Sequence, residues 1–293
     1  MNITQWLNKA TAYLAGRCPG AGRIDAEALL GHCTGRDRAE LYRDGLEELP
    51  AGLGEEFWRL VERRAGGEPL AYITGRREFM GLEFLVSPAV LIPRQETELL
   101  VEKALEILSR GGRNDPGPGP VLADVGTGSG AVAVSLAVLC PKARVYATDI
   151  SAQALAVAGQ NAHRQGVADR VRFLPGDLLG PLLDLPGLKA DLVAANLPYV
   201  PSGEIPGLMP DVRDFEPGLA LDGGPDGLDL YRRLIPQARE ILRPGGSLLM
   251  EIGPGQGEPL TKALGPGWEA QIIPDLAGRE RVVLAYQPPT PNP

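Results

Sequence analysis

Four consecutive residues, Asn196-Leu197-Pro198-Tyr199, carry the most specific chemistry in this chain of 293 residues. The side-chain oxygen of Asn196 and the main-chain carbonyl of Pro198 are two hydrogen-bond acceptors, and Tyr199 is a flat wall. Proline fixes φ near about −65°, so the Pro198 carbonyl is aimed before anything binds. Two acceptors and an aromatic face suit a planar NH2 group. Each N–H finds an oxygen, stacking adds about 0.5–1.5 kcal/mol, and the delocalised lone pair of an amide or amine nitrogen is left facing an electrophile. Such positioning is a large catalytic term. The proton becomes acidic only as the new bond to nitrogen forms, so no base has to act first. The same residues also suit an ordinary turn, where Asn and Pro are common. A second constellation is Asp124-Val125-Gly126-Thr127-Gly128-Ser129-Gly130, whose alternate glycines let the backbone turn tightly and come close to a ligand. Asp149, in Ala147-Thr148-Asp149-Ile150, offers two acceptor oxygens that suit vicinal hydroxyls.

These residues need strands and helices to hold them. Short apolar strands are predicted over Val121–Val125, Val145–Asp149, Val171–Leu174, Leu192–Ala195 and Ser247–Ile252, with helices over Ala131–Leu139, Ala152–Gln165 and Leu228–Leu242. The alternation predicts an α/β fold, a doubly wound and largely parallel sheet covered by helices on both faces. Strands near Ala270–Ile273 and Arg281–Tyr286 follow without an obvious intervening helix and can form an antiparallel edge hairpin, which brings the sheet to seven strands. In such sheets ligands sit beyond the carboxyl ends of the strands. Both constellations directly follow a predicted strand.

Upstream, residues 1–75 read as a small helical domain. Thr4 is expected to cap Gln5–Ala15, Asp25 to cap Ala26–His32 and Asp37 to cap Arg38–Arg43. In Glu55–Ala65 the residues Phe57, Leu60 and Val61 recur at helical spacing, and Gly66-Gly67 stops the helix. Glu78–Val90 alternates Phe79, Leu82, Phe84 and Val86 around Gly81, a β-hairpin within a linker at 76–92. Pro93 ends that segment, Glu96–Leu108 is helical, and Gly111–Pro120, rich in Gly and Pro, is a flexible loop. Residues 93–293 form the catalytic domain. A chain of this length exceeds what one core usually organises, so two domains are expected.

The apolar fraction of 44% and charged fraction of 23% are near those of ordinary globular proteins and suggest neither disorder nor a fibrous repeat. The most apolar stretch, Val121 to Cys140, is interrupted by Asp124 and three glycines and is too broken to span a bilayer. The first residues lack the pattern of an export signal. A cytoplasmic monomer without membrane contact is expected. Cys18, Cys33 and Cys140 are odd in number and form no Cys-x-x-Cys pair, so they read as buried free thiols. With two histidines in the chain, no metal site is expected. A net charge of −8 and a pI near 5.0 weigh against the nucleic-acid backbone as main partner and favour a protein or small-molecule substrate.

The glycine loop, with an acid about twenty residues on, resembles the dinucleotide fingerprint Gly-x-Gly-x-x-Gly, but the third glycine comes one residue early. Asp-x-Gly-x-Gly-x-Gly is instead similar to the loop of Rossmann-like methyltransferases. That resemblance implies that Gly126, Thr127, Gly128, Ser129 and Gly130 accommodate the amino-acid end of S-adenosylmethionine and that Asp149 meets the ribose. Asp177 and Leu178, in Pro175-Gly176-Asp177-Leu178, fall where such folds contact adenine, although Asp177 is equally suited to cap a helix. Adding Ile92-Pro93-Arg94-Gln95-Glu96-Thr97-Glu98, Phe215-Glu216-Pro217 and Asp222-Gly223-Gly224-Pro225-Asp226-Gly227, nearly the whole chain resembles the HemK/PrmC family of protein-(glutamine-N5) methyltransferases. The resemblance implies transfer of a methyl group to the glutamine side chain of the Gly-Gly-Gln loop in class I peptide chain release factors, with S-adenosylhomocysteine as product. It also implies that Asn196 contacts cofactor and acceptor, that Leu197, Pro198 and Tyr199 line the glutamine pocket, and that the N-terminal domain docks the release factor. The chain departs from the family's usual pattern at Leu197 and Gln95, where proline is common. An amino methyltransferase acting on nucleic acid or another protein poses the same two-hydrogen problem, and a silent binding module or a nicotinamide oxidoreductase are readings from other classes.

Overall fold

A computed structural model describes residues 1–110 and 119–287. The loop expected over 111–120 therefore falls almost wholly outside the described residues. The chain divides into two compact units, Met1–Arg76 with Met209–Phe215, and Arg77–Leu208 with Glu216–Pro293.

The first unit is built from α1 (Ile3–Ala15), α2 (Arg23–Thr34), α3 (Arg38–Arg43), α4 (Ala51–Ala65) and α5 (Leu70–Thr74). Ile3, Leu7, Ala10 and Leu14 form the buried stripe of α1 and meet Leu29, Leu30, Phe57 and Val61 in one core. Two expected caps are corrected. Asn2, not Thr4, caps α1: its side chain accepts from Gln5 N–H at 2.8 Å while the Gln5 side chain accepts from Asn2 N–H at 3.1 Å. That reciprocal box satisfies two end donors, which a cap at Thr4 would not. Asp25 lies in the first turn of α2 rather than before it, where its carboxylate accepts from Gly22 N–H at 3.2 Å. Asp37 does cap α3, with Glu40 reaching back.

The second unit opens with the hairpin β1 (Arg76–Phe79) and β2 (Leu82–Leu85). Its turn residues Met80 and Gly81 have φ of 53° and 70°, the twist that two-residue hairpin turns require. A 3-10 turn at Gln95–Thr97 leads into α6 (Glu98–Arg110). The main sheet contains β3 (Val121–Val125), β4 (Arg144–Asp149), β5 (Val171–Pro175), β6 (Ala190–Ala195), β7 (Leu242–Glu251), β8 (Glu269–Pro274) and β9 (Glu280–Tyr286). Its order is β5-β4-β3-β6-β7-β9-β8, with β9 antiparallel to both neighbours and the other pairs parallel. This is the Rossmann-like seven-stranded sheet. Every residue of β6 is buried, as expected of a central strand covered on both faces.

Besides α6, this unit has the helices α7 (Ala131–Leu139), α8 (Ala152–Arg164), α9 (Asp229–Ile241) and α10 (Gly257–Leu264), with short turns at Gly180–Leu183, Ile205–Gly207 and Gly218–Ala220; a further turn, Pro210–Arg213, belongs to the first unit. Helix α10 is a correction, since none was expected before β8. Leu260 and Leu264 are buried one turn apart, but Gly253-Pro254-Gly255 and Pro259 obscure the pattern. A proline in the first turn costs no hydrogen bond, so the helix forms. The chain runs outward from β3 through β4 to β5 and returns to the other flank of β3 as β6. Reversal of direction at β3 opens a crevice at the carboxyl ends of β3 and β6.

Candidate functional site

A cleft of about 400 Å³ lies at that reversal, within the range of roughly 300–1,000 Å³ usual for small-molecule sites. Its wall includes Gly126, Thr127, Gly128, Ser129, Asp149, Asp177, Leu178, Asn196, Leu197 and Pro198. Residues far apart in sequence thus meet because each follows one of four adjacent strands. Gly130 and Tyr199 lie outside the wall.

The glycine loop is held from below. Gly126 N–H and Thr127 N–H both donate to the Thr148 carbonyl at 2.9 Å, which ties the end of β3 to β4. Gly126, Gly128 and Gly130 have φ of 71°, 55° and 80°, a region that L side chains avoid. At Gly130 the missing Cβ also makes room for α8, since it would stand 3.0 Å from Ala158 Cβ. Asp149 accepts from Gly128 N–H at 2.9 Å and from Ser151 N–H at 2.9 Å through different oxygens. Each oxygen keeps a lone pair for a ligand hydroxyl. Asp124 is buried beneath the loop and accepts from Thr127 Oγ1 at 2.7 Å and Ala133 N–H at 3.1 Å. Burial pushes its carboxyl up to about 6, against those two hydrogen bonds. Asn161, fully buried on α8, donates to the carbonyls of Ser129 at 2.8 Å and Leu85 at 3.0 Å and accepts from Leu85 N–H at 2.7 Å. One amide therefore joins the hairpin, α8 and the loop.

Asp177 neither caps a helix nor stands free: its carboxylate pairs with Arg233 of α9 at the cleft rim. Leu178 beside it has φ of 51°, unusual for a branched residue and worth noting in a ligand cleft. A backbone cradle of glycines, the carboxylate of Asp149 and the apolar Ile150 and Leu178 on one cleft wall fit the groups of S-adenosylmethionine.

At the exit of β6, Asn196 Nδ2 donates to Thr97 Oγ1 at 3.0 Å. This bond holds one hydrogen of the amide, and Asn196 stands on the cleft wall with Oδ1 as its acceptor atom. Leu197 supplies what the usual proline could not, an N–H that donates to the Tyr231 hydroxyl at 3.2 Å. Tyr231 in turn donates to the Glu251 carbonyl. The Leu197 side chain also packs where a Cβ on Gly126 would fall, 2.9 Å from its Cδ2. Pro198 presents its carbonyl beside Gly223, whose Cβ would lie 2.6 Å from that oxygen. The Tyr199 hydroxyl donates to Glu251 Oε1 at 3.4 Å, and its carbonyl accepts from Gln256 Nε2 at 2.8 Å. Burial, with Glu251 adding to it, pushes the Tyr199 phenol up to about 12.

Sequence reasoning assigned no role to Thr97, Glu216, Tyr231, Glu251 or Gln256. Glu216 is buried, accepts from Ile92 N–H at 3.2 Å and pairs with Arg94 on the cleft wall, so it anchors the segment that carries Thr97. The loop Asp222–Gly227 is tied to the tetrapeptide and the residue after it: Gln256 Nε2 donates to the carbonyls of Tyr199 at 2.8 Å and Asp226 at 3.1 Å, and Gly223 N–H donates to Val200 O at 2.9 Å. The available signal for Glu251 was a charge closing the apolar run Leu248-Leu249-Met250.

Among the described residues no cluster of His, Cys, Asp or Glu could hold a metal ion, and no helix is long and apolar enough to cross a membrane. All three cysteines are free, but only Cys18 is buried; Cys33 and Cys140 are half-buried. Burial pushes the Cys33 thiol up to about 11.

Comparisons with known proteins agree with this geometry. Residues 5–75 match the model of the PrmC N-terminal domain and residues 122–215 that of a methyltransferase domain. A release factor glutamine methyltransferase of Moorella thermoacetica is 50% identical over 98% of this chain and 99% of its own length. One from Koribacter versatilis is 40% identical over 98% and 99%. Among solved structures, a Thermus thermophilus 16S rRNA N2 G1207 methyltransferase in complex with AdoMet and guanosine superposes with a TM-score of 0.50 at 18% identity, over 73% of this chain and 49% of that one, a likeness of fold alone. Identity at this level over the full length settles the grouping: the chain belongs to the family of release factor glutamine methyltransferases.

Proposed function

We propose that this protein transfers the methyl group of S-adenosylmethionine to the side-chain nitrogen of the glutamine in the Gly-Gly-Gln loop of class I release factors, giving N5-methylglutamine and S-adenosylhomocysteine. The observation that carries the reading is Asn196, which donates from Nδ2 to Thr97 Oγ1 and stands on the wall of the cleft shared with the glycine loop, and this supports Oδ1 as the group that meets the acceptor. In this reading Asn196 Oδ1 and the Pro198 carbonyl each accept one hydrogen of the glutamine NH2. The nitrogen lone pair then faces the sulfonium methyl. As the N–C bond forms the sulfur–carbon bond breaks, and the proton that has become acidic is lost from nitrogen to water. Gly126, Thr127, Gly128, Ser129 and Gly130 shape the seat of the methionine moiety, Asp149 binds the ribose, and Asp177 and Leu178 border the adenine. Tyr199 bounds the glutamine pocket from behind the wall through its bond to Glu251.

The unit of residues 1–75 docks the release factor, residues 76–92 link it to the catalytic domain, and 93–293 carry the chemistry. The protein acts as a monomer in the cytoplasm, without direct contact to nucleic acid, in keeping with its net charge of −8. Single-turnover methyl transfer to a release factor at saturating S-adenosylmethionine tests the site. Asn196→Ala is expected to slow transfer by on the order of 100-fold, with S-adenosylhomocysteine affinity reduced by less. A wild-type rate in that variant contradicts the assignment.

A further inference from the structure

Glu251 ends β7 as a charge closing an apolar run, and it is 1% exposed. It is absent from the cleft wall, so it does not touch a bound ligand there. Oε1 accepts from the Tyr199 hydroxyl at 3.4 Å, while Oε2 is buried with no hydrogen-bond partner. A buried carboxylate oxygen left in this way is costly, and a fold keeps one only where something offsets it. The Thr97 hydroxyl acts on this carboxyl and favours its ionised form. Thr97 Oγ1 is also the atom that accepts from Asn196 Nδ2 at 3.0 Å.

We propose that Glu251 is a positioning residue for the methyl transfer, acting through Thr97 to decide which atom of the Asn196 amide faces the acceptor nitrogen. The proposal rests on Asn196 being the acceptor-binding group. An ionised carboxylate can only accept, so the Thr97 hydroxyl, when it turns to the unpartnered Oε2, donates to it. The Thr97 oxygen then accepts from Asn196 Nδ2, and Oδ1 is turned to the cleft. A protonated Glu251 can donate to Thr97 instead. The Thr97 hydrogen is then released toward Asn196, the amide reverses, and an NH2 group meets the NH2 of the substrate, donor against donor.

Burial pushes the Glu251 carboxyl up to about 7. Thr97, Arg281 of β9 and the Tyr199 hydroxyl favour the ionised form, and Glu96 opposes it. The Arg281 guanidinium is shared with Asp275 at 3.3 Å, and Arg94 acts on Tyr199. Methyl transfer therefore rises with pH through about 7 as Glu251 ionises. Stability has the opposite sign. The folded chain holds this proton more tightly than an unfolded glutamate near 4.5, so the contribution is fully present below about 4.5 and is lost as pH rises through about 7.

The test is the pH profile of kcat for the full chain, with S-adenosylmethionine and a release factor both saturating, in the wild type, Glu251→Gln and Thr97→Val. Expected for Glu251→Gln is a fall in kcat on the order of 10- to 100-fold, little change in the KM for S-adenosylmethionine, loss of the acid limb near pH 7, and a melting temperature above pH 7 no lower than that of the wild type. Thr97→Val, which keeps the shape and removes the hydroxyl, is expected to lose kcat and the acid limb in the same way. It decides the matter if Glu251→Gln does not fold. An unchanged kcat and acid limb in either folded variant overturns the proposal. With Asn196→Ala inactive in parallel, that result leaves the acceptor site standing; with Asn196→Ala fully active, the site reading and this proposal fall together.

Discussion

At the scale of single residues, the site depends as much on absent atoms as on present ones. Gly227 has φ of 77°, and a Cβ there would overlap the Tyr199 carbonyl and the Gln256 amide. Gly227→Ala is therefore expected to displace the tetrapeptide, cost about 1–3 kcal/mol of stability and lower kcat, as denaturant unfolding and steady-state assay would measure. A variant with wild-type stability and kcat would mean that the loop's tie to the tetrapeptide is dispensable. Leu197 shows a second kind of compensation. A leucine gives up the φ restriction of proline, yet its N–H donates to Tyr231, which proline could not allow. That Asn196 and Pro198 carry acceptor oxygens could be read from residue type alone, because that chemistry is intrinsic. The bond from the Asn196 amide to Thr97 could not, since the two residues lie ninety-nine positions apart.

At the scale of elements, helix and strand positions in the second unit follow from periodicity, and β3 and α7 fall where the pattern puts them. Side chains facing one core at fixed spacing leave a clear mark in sequence. Helix starts in the first unit do not, because several oxygen-bearing residues compete for each cap and a reciprocal box decides between them. Helix α10 was hidden by the glycines and prolines around it. Asn161 carries a prediction at this scale, since its amide makes three bonds that join the hairpin, α8 and the Ser129 carbonyl. Asn161→Ala leaves Leu85 N–H and two carbonyls without that partner, so a loss of about 2–4 kcal/mol is expected in chemical denaturation. Weaker S-adenosylhomocysteine binding by calorimetry should accompany it. A stability change below about 0.5 kcal/mol, the usual surface level, would show that the amide does not lock the three elements together.

At the scale of the whole molecule, the two units divide the work in the proposed function, one for the partner and one for the chemistry. The sheet order was not legible in the sequence, yet its consequence was, because each motif follows a strand and a doubly wound sheet gathers strand ends at one edge. Mass spectrometry of a release factor after incubation with this protein and S-adenosylmethionine tests the central claim most directly. One methyl group on the side chain of the Gly-Gly-Gln glutamine is the predicted result, and a methyl group on any other residue, or none, contradicts it.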